Sequence, residues 1–505
     1  MKGPILQLDA VSRRFGDFLA VREASVEIAP GAIHAIIGEN GAGKSTLLKM
    51  AAGALAPSSG QVRVDGHGLT PATPAEAIRR GVGMVHQHFM LVGAFRAIEN
   101  VILGGEPTLS LGRLDLEGAA ARAGEIMKEA GLTVPLDALT STLTVGERQR
   151  LEILRVLYRG ARAVLLDEPT AVLSPIEAED LYTTLRRLAD GGASIAVVTH
   201  RLDEVVRHAD HVTVMRRGQV VLSQAQDRKA PLSTDELTRA IMGGAPPAPF
   251  SPPPLAEGAA AVLEVKGLAL EDAGGRRVLD GVDLTVRWGE IVGVAGVEGN
   301  GQRELVRALA GMEPRAAGRV AVAGKDLSAA SVRARRMALG VVHEDRHAEG
   351  LLLDASVGDN LVLGDLGDAE GIDEQATIAR RIERFGVQPP DAARLAGELS
   401  GGNQQKIVIA RTLDRLRAAG AKAAAVLAQP TRGVDVGAAA VIHAAIGEAA
   451  AAGMAVLVLS ADLGELRRLS HRIVVMRRGK IVASLPREAS EMEIGRAMLG
   501  VEAEA

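Results

Sequence analysis

Short apolar runs alternate with longer stretches of helical periodicity along most of this chain. The runs over residues 163–166, 194–199 and 455–459 are rich in valine, leucine, isoleucine and alanine. Uninterrupted runs of this length are typical of strands buried on both faces, and their alternation with helices predicts mostly parallel sheets covered by helices. Residues 88–160 break this rhythm with longer helical patterns, for example over 116–130, which predicts an inserted helical subdomain.

This pattern occurs twice. Segment 31–41 reappears over 289–301, and segments 164–170 and 212–218 reappear over 425–431 and 473–479, in the same order and with nearly the same spacing. Chance similarity of short strands would not preserve that order, so we interpret the chain as a tandem duplication. A proline-rich stretch between the copies predicts the boundary. We expect a first domain over 1–242, a proline- and alanine-rich linker over 243–261 and a second domain over 262–505.

Composition narrows the classes of function. The 505 residues include no cysteine, which excludes disulfide scaffolds, thiolate zinc sites and cysteine nucleophiles. A formal net charge of −4 and an aromatic content of 2% give no sign of a surface for nucleic acid. No apolar run reaches the ~20 residues needed to cross a bilayer. We therefore expect a soluble or membrane-peripheral α/β protein with no nucleic acid among its partners.

A glycine-rich loop in the first copy carries the first candidate chemistry. It lies between a predicted strand over 32–37 and a predicted helix over 47–52. Its glycines let backbone N–H groups wrap around phosphates, and the helix N-terminus favours negative charge. In a P-loop of this form the lysine reaches the β- and γ-phosphates, and the hydroxyl that follows it contacts Mg²⁺. The predicted nucleotide-binding residues of the loop are Gly38, Glu39, Asn40, Gly41, Ala42, Gly43, Lys44, Ser45 and Thr46.

Polar residues close two of the predicted strands. Asp167 and Glu168 follow the run over 163–166, and His200 follows the run over 194–199. Beside a P-loop, Asp167 is suited to hold Mg²⁺ and Glu168 to polarise the attacking water. We predict catalytic roles for Lys44, Glu168 and His200, with His200 contacting the γ-phosphate, and metal contacts for Ser45 and Asp167.

One further segment carries a family resemblance. Residues 399–406, with the sequence Leu-Ser-Gly-Gly-Asn-Gln-Gln-Lys, resemble the signature of ATP-binding-cassette (ABC) ATPases, and a weaker form occupies residues 143–150. The resemblance implies an α/β fold of two tandem ABC-type nucleotide-binding domains. Each would have a P-loop core of mostly parallel sheet, added antiparallel strands and a helical subdomain that carries the signature. It also implies ATP and Mg²⁺ as cofactors.

The same resemblance assigns roles by position. Phe15 resembles the aromatic residue that stacks on adenine, and Gln87 resembles the catalytic-loop glutamine that touches Mg²⁺ and senses the membrane partner. Such cassettes pair head-to-tail, so that each nucleotide lies between one P-loop and the opposite signature. The nucleotide contacts implied for the second copy are Ser400, Gly401, Gly402, Asn403 and Asp435.

The two copies are unequal. The positions of Phe15, Lys44, Ser45, Gln87, Asp167, Glu168 and His200 are occupied in the second copy by Ala273, Gln302, Arg303, Glu344, Ala428, Gln429 and Ala461. The first copy has the weaker signature. With head-to-tail pairing, the first P-loop would have every component of the site intact, whereas the second would receive the weaker signature and be poor in every component. Glu304 and Glu344 would add negative charge near the second P-loop, with no lysine to offset it. We predict one hydrolytic site, and a second site that binds nucleotide weakly or holds it unhydrolysed.

Unequal fused cassettes resemble the ATP-binding subunits of bacterial simple-sugar and nucleoside importers. Residues 84–92 and 99–100 resemble the nucleoside branch more than the sugar branch. This implies integral membrane permease partners, an extracytoplasmic solute-binding protein and a peripheral position on the cytoplasmic face of the membrane. The alternative is a soluble tandem-cassette ATPase that acts on ribosomes, a class that generally has two intact sites and a long charged linker.

Overall fold

The computed structural model describes residues 5–16, 18–109, 113–171, 173–227, 230–244, 250–365, 373–418 and 422–500. The chain divides into two compact units, Met1–Pro246 and Pro247–Ala505, here called domain 1 and domain 2. Residues 245–249 of the predicted linker lie outside the described residues.

Domain 1 has ten strands among its described residues. They are β1 (Leu6–Phe15), β2 (Phe18–Ile28), β3 (Ile33–Gly38), β4 (Ser59–Val64), β5 (His67–Gly68), β6 (Val82–Val85), β7 (Ala163–Asp167), β8 (Ser194–Val198), β9 (His211–Arg216) and β10 (Gln219–Ala225). Its helices are α1 (Lys44–Ala51), α2 (Pro74–Arg79), α3 (Ala97–Ile102), α4 (Leu116–Ala130), α5 (Val145–Tyr158), α6 (Pro175–Asp190), α7 (Leu202–His208) and α8 (Thr234–Met242).

Domain 2 repeats this set of elements. Its strands are β11 (Ala261–Glu271), β12 (Arg277–Arg287), β13 (Ile291–Ala295), β14 (Ala317–Val322), β15 (Lys325–Asp326), β16 (Leu339–Val342), β17 (Ala424–Ala428), β18 (Ala455–Leu459), β19 (Arg472–Arg477) and β20 (Lys480–Pro486). Its helices are α9 (Gln302–Ala310), α10 (Val332–Arg335), α11 (Val357–Val362), α12 (Glu374–Phe385), α13 (Gly401–Ala418), α14 (Val436–Ala451), α15 (Leu463–Leu469) and α16 (Glu491–Leu499).

Each domain contains two sheets with the same topology. In domain 1 an antiparallel sheet has the order β2-β1-β4-β5, and a six-stranded sheet has the order β10-β9-β3-β8-β7-β6. The pairs from β9 to β6 are parallel, and β10 pairs antiparallel with β9. Domain 2 has the corresponding orders β12-β11-β14-β15 and β20-β19-β13-β18-β17-β16. The predicted duplication and fold class are therefore confirmed by the topology.

The parallel strands are buried on both faces, as their uninterrupted apolar sequence predicts. In β7, Val164 and Leu166 pack toward the cluster that includes α3, α4, α5 and α6, which is the predicted helical subdomain and its neighbour. Ala163 and Leu165 point the other way, into the cluster shared with α1 and the antiparallel sheet. This alternation is the period-two geometry of a strand, and it places each parallel strand between two apolar layers.

The fold brings four strand ends to one edge. Strands β3, β6, β7 and β8 are neighbours and run parallel, so the residues that follow them lie at the same edge of the sheet. Loops beyond the carboxyl ends of parallel strands are where α/β sheets bind ligands. The glycine-rich loop, the loop with Gln87, the Asp167–Glu168 pair and His200 all occupy this edge.

The described part of the linker packs on domain 2. The Phe250 ring lies against Gly447 of α14, where a β-carbon would be 2.4 Å from the ring. His471 accepts a hydrogen bond from the Ile291 backbone through Nδ1, and its Nε2 lies 2.7 Å from the Pro253 carbonyl oxygen, to which it donates. The polypeptide that leads into domain 2 is thus held against it before β11 begins.

Candidate active site

The glycine-rich loop of domain 1 is held by its packing. Gly38, Gly41 and Gly43 all have positive φ, of 154°, 81° and 99°. A β-carbon on Gly43 would lie 2.6 Å from the Ala20 carbonyl oxygen, so the close approach of β2 requires glycine there. Helix α1 begins at Lys44, three residues earlier than predicted, because the polar first turn carries no apolar periodicity to mark it. The helix N-terminus therefore faces directly into the loop, as a phosphate site requires.

Lys44 is buried inside this loop. Its Nζ donates hydrogen bonds to the carbonyl oxygens of Gly38, at 2.7 Å, and Glu39, at 3.0 Å. Burial lowers the pKa of Lys44, while the carboxylates of Glu168, Asp167 and Glu39 act to raise it. The ammonium group is thus poorly solvated and surrounded by acceptors, a setting in which phosphate oxygens are strong partners.

Ser45 and Asp167 lie within hydrogen-bond distance of each other. The Ser45 hydroxyl donates to Asp167 Oδ1 at 3.0 Å, which links the first turn of α1 to the end of β7. Burial raises the pKa of Asp167; the Ser45 hydrogen bond acts against this, and the neighbouring Glu168 adds to it. A hydroxyl and a carboxylate side by side at the phosphate loop are the ligands that Mg²⁺ takes beside substrate phosphates, so these residues fit the predicted metal.

Glu168 joins two more of the predicted residues. Its Oε2 accepts a hydrogen bond from Gln87 Nε2 at 3.0 Å, and its Oε1 lies 3.3 Å from His200 Nδ1. Burial acts to raise the pKa of Glu168, but the hydrogen bond and charge of His200, together with the charge of Lys44, outweigh it and hold that pKa below its ordinary value. The carboxylate is therefore kept ionised, which is the state that a general base needs. His200 contacts Glu168 in this arrangement.

Phe15 lies at the end of β1, where β1 turns into β2. Its side chain is 46% exposed, and the Arg13 guanidinium lies 4.9 Å from the centre of its ring. Phe18, the residue opposite in the hairpin, is 65% exposed. The hairpin therefore presents two exposed aromatic rings, and an exposed ring face is available to stack on a planar group.

The corresponding loop of domain 2 has a similar backbone conformation but different side chains. Gly301 has φ of 103°, and a β-carbon on it would lie 2.7 Å from the Val278 carbonyl oxygen. Gln429 has φ of 48° and donates its N–H to Leu459, as Glu168, with φ of 51°, does to Val198. Gln302 occupies the position of Lys44, so the loop has the shape of a phosphate site without its cation.

The two signature segments differ in how their helices begin. In domain 1 Thr144 and Glu147 form a capping box: Thr144 accepts from the Glu147 N–H at 3.2 Å, and the Glu147 carboxylate accepts from the Thr144 N–H at 2.8 Å. In domain 2 the first turn of α13 has no acidic side chain, and Asn403 donates to Ser400 Oγ at 3.0 Å. Because a carboxylate at a helix N-terminus competes with phosphate, the Glu147 cap opposes phosphate binding at α5, whereas no acidic side chain of the first turn does so at α13.

Asp435 has a structural role in its own domain. It caps α14, accepting a hydrogen bond from the Ala438 N–H at 2.7 Å, and its carboxylate lies 3.1 Å from the position of a β-carbon on Gly402. Ser174 caps α6 at the matching position of domain 1. The aspartate thus lies beside the glycines of the domain 2 signature segment.

The sequence interpretation of Glu344 needs correction. We expected its charge to be uncompensated, but the carboxylate forms an ion pair with Arg432. The two residues are 88 positions apart, so no local pattern indicates the contact. The Glu147 cap was also missed, although a threonine followed three residues later by glutamate is the sequence pattern of a capping box.

The described ranges lack two features that would have indicated a membrane span or a preformed metal site. They contain no helix long and apolar enough to span a membrane. They also contain no group of three or more histidine and acidic side chains placed to hold a metal ion.

Comparisons with known proteins give concordant matches. Residues 21–171 and 279–417 match the protein-family model described as ABC transporter. The chain is 40% identical over 508 residues to the nucleoside import ATP-binding protein NupA of Lactococcus lactis subsp. cremoris (strain MG1363), covering 98% of each chain. It is 38% identical over 495 residues to the ribose import ATP-binding protein RbsA 3 of Rubrobacter xylanophilus, covering 96% of each.

A solved structure is similar over nearly the whole chain. It is the archaeal ribosome recycling factor aABCE1 in complex with the ribosomal stalk protein aP1. The TM-score is 0.61 at 20% identity, and the match covers 94% of this chain and 90% of that one. Likeness at this identity reports a common fold of two cassettes in tandem.

Proposed function

The chain belongs to the ABC transporter family and is an ATPase with two cassettes in tandem, and from this premise we propose that it hydrolyses ATP at one site, in domain 1, to drive solute import. The observation that carries the proposal is the contact of Glu168 with Gln87 and His200 beside the buried Lys44. Among the described residues, domain 2 offers none of these groups at the matching positions.

ATP would be held by the loop before any chemistry begins. The phosphates would replace the carbonyl oxygens of Gly38 and Glu39 as partners of Lys44, while the N–H groups at the start of α1 face the same anion. Bound Mg²⁺, held by Ser45 and Asp167 with the amide oxygen of Gln87 nearby, would neutralise phosphate charge. Phe15 would stack on the adenine base.

Hydrolysis then needs an oriented water. Glu168 is ionised and half-enclosed, so it can accept a proton from, or orient, a water that attacks the γ-phosphate. Gln87 and His200 each hold one of its two carboxylate oxygens, which fixes the direction of the free lone pairs. Either residue can exchange this contact for the substrate once ATP is bound.

Domain 2 would complete this site from the other side. We propose that the cassettes pair head-to-tail, so that the N-terminus of α13, with Ser400, Gly401 and Gly402, donates to the γ-phosphate bound in domain 1. The first turn of α13 has no acidic side chain, whereas the first turn of α5 has a capping carboxylate, and this difference supports the proposed direction of pairing. The loop of domain 2 would bind nucleotide weakly or hold it without hydrolysis.

The loop after β6 is the proposed contact with a permease. Met90, Val92 and Phe95 in this loop are 59%, 39% and 37% exposed, an apolar surface that water disfavours. The loop is nonetheless anchored, because the buried Glu152 and Asn100 accept from the backbone N–H groups of Met90 and Val92. The natural chain has no cysteine. A Phe89→Cys variant in native membranes should therefore cross-link to an integral membrane subunit, and persistent failure to capture one would contradict the contact.

We propose a nucleoside as the solute, with a simple sugar as the second candidate. The higher identity to a nucleoside import protein than to a ribose import protein supports this order. The test is to co-purify the chain with its permease partners and an extracytoplasmic binding protein, and to measure ATPase activity with nucleosides and with ribose. Stimulation by nucleosides is expected; stimulation by ribose alone would reassign the solute. Association with ribosomes in place of a permease would favour the translation alternative, which only a fold-level likeness supports.

A further inference from the structure

In the loop that follows β16 in domain 2, charged side chains contact other residues of the same domain. It is the counterpart of the loop with Gln87, and Glu344 holds the position of Gln87. Gln87 contacts Glu168 at the end of β7. Glu344 instead forms an ion pair with Arg432, which lies in the turn after β17. Domain 1 has Ala171 at the position of Arg432, so this pair has no equivalent there.

Arg346, two residues further along, bridges two other segments. Its Nε donates to Gln404 Oε1 at 3.3 Å, in the first turn of α13, and its Nη1 donates to the Arg432 carbonyl oxygen at 3.1 Å. Its Nη2 lies 2.7 Å from the position of a β-carbon on Gly401. The planar guanidinium can satisfy both acceptors at once, which a lysine ammonium cannot do with the same fixed geometry.

Both ends of the Gln404 amide form hydrogen bonds within domain 2. It is buried, its Nε2 donates to the Ala396 carbonyl oxygen at 3.1 Å, and its Oε1 also accepts from His347 Nε2 at 2.9 Å. Arg346 thus connects a rigid point of the signature helix to the turn that leads to Asp435. In domain 1, Phe89 and Arg148 occupy the positions of Arg346 and Gln404, so the bridge cannot form.

We propose that Arg346 is a positioning residue for hydrolysis in domain 1. Its hydrogen bonds connect the start of α13 to the turn before Asp435. They would fix the positions of these two segments, which would face the γ-phosphate bound in domain 1. This inference rests on the head-to-tail pairing proposed above. Residues in the loop after β16 of domain 2 would then serve the phosphate loop of domain 1, and the Glu344–Arg432 pair would hold the turn on which Arg346 acts.

The test is an Arg346→Met variant of the full chain, assembled with its permease partners. Small displacements of a group that stabilises the transition state lower rate more than binding, so kcat for ATP hydrolysis should fall about 10- to 100-fold. KM for ATP should stay within about twofold, because the ATP ligands of domain 1 are untouched. The matched control is Arg319→Met, which removes an exposed arginine of β14 from an ion pair with Asp326 of the neighbouring edge strand β15 and should leave kcat unchanged.

Thermal unfolding separates positioning from a merely structural role. A loss of kcat that occurs only together with a lower unfolding midpoint would overturn the proposal, as would an unchanged kcat. If Arg346→Met does not assemble, Gln404→Met removes the same bridge from the other side and should give the same kcat loss. A Ser400→Arg variant measured in parallel tests the pairing itself. If Ser400→Arg abolishes hydrolysis and Arg346→Met does not lower it, only the positioning role fails; if Ser400→Arg has no effect, the pairing fails.

Discussion

In domain 1 the loop after β3 runs into Lys44, and in domain 2 the loop after β13 runs into Gln302, yet the preceding glycines have φ of 99° and 103°. Both glycines are pressed against a carbonyl of the antiparallel sheet, at Ala20 and at Val278. The backbone shape is therefore required by packing within each domain, whether or not a phosphate binds. Loop geometry alone therefore does not identify a hydrolytic site, and the proposal of one rests on the side chains at the end of the loop.

The ends of β7 and β17 also share a backbone conformation while their side chains make different contacts. Glu168 and Gln429 share a left-handed conformation that non-glycine residues seldom adopt. The carboxylate in domain 1 holds Gln87 and His200, whereas the amide oxygen of Gln429 accepts only a backbone N–H, that of Ala461, among the contacts of the described residues. The backbone conformation at this position is therefore the same in both domains, although one side chain is a carboxylate and the other an amide.

The largest expected effect comes from making domain 1 resemble domain 2 at this position. Glu168→Gln should slow ATP turnover by on the order of 10²-fold or more, because the group that orients the water loses its charge. ATP should still bind, since Lys44 and the loop remain. Single-turnover hydrolysis and nucleotide binding on the same preparation check both parts.

The reverse change is the control for that comparison. Gln429→Glu should add no hydrolysis in domain 2, because the lysine, the hydroxyl and the aspartate are also missing there. Hydrolysis gained by this single substitution, measured in a Glu168→Gln background, would show that domain 2 is closer to competence than its side chains indicate.

A smaller effect is expected at Phe15, the proposed contact with adenine. Phe15→Ala should weaken ATP binding by about 1–3 kcal/mol, the range for an aromatic ring stacked on a base. Phe18→Ala, at the opposite position of the same hairpin, is the matched control and should leave ATP affinity unchanged. Equal affinities for the wild type and a folded Phe15→Ala protein would remove Phe15 from the site, and a loss confined to Phe18→Ala would reassign its role.

The smallest expected effect concerns a buried histidine that only domain 1 has at this position. His34 in β3 corresponds to Val292 in β13, and it contacts Thr213 Oγ1 at 2.8 Å and the Glu27 carbonyl oxygen at 3.1 Å. Burial, with a further contribution from His211, lowers the pKa of His34 to about 3. An exposed histidine in the unfolded chain has a pKa of about 6.5.

The sign of the pH effect follows from these two values. Below about pH 6.5 the unfolded chain binds a proton that folded domain 1 does not, so stability is lost as pH falls toward about 3. As pH falls from about 7.5 to about 5.5, the burial of neutral His34 should lower the free energy of unfolding by about 1.4 kcal/mol. Unfolding of the wild type and of His34→Val should therefore differ in pH dependence by that amount, whatever their absolute stabilities. Identical pH dependence in both proteins would contradict the burial of a neutral His34.

Local patterns in the sequence were sufficient for much of the fold. The helix over 116–130 and the strand over 455–459 are found with the predicted bounds, because strong periodicity and an uninterrupted apolar run mark them. The start of α1 was placed too late, since its first turn is polar. The repeat also predicted that both domains share one topology, which the strand orders confirm.

The candidate site was less completely predictable. The spacing of motifs indicated which residues meet at the sheet edge, because parallel strands end together. It did not indicate that Glu168 holds both Gln87 and His200, or that Glu344 and Arg346 reach Arg432, since these contacts join segments more than 30 residues apart. Such contacts depend on side-chain directions that only the folded loops determine.

The central claim is that the intact loop of domain 1 is completed by the signature segment of domain 2, and one measurement tests it directly. Single-turnover ATP hydrolysis should be compared in assembled transporters that carry Ser400→Arg, in domain 2, or Gly146→Arg, in domain 1. If the claim is correct, Ser400→Arg abolishes hydrolysis, because a bulky side chain replaces the hydroxyl at the α13 N-terminus, while Gly146→Arg leaves substantial activity. Hydrolysis that survives Ser400→Arg and is lost with Gly146→Arg would contradict it.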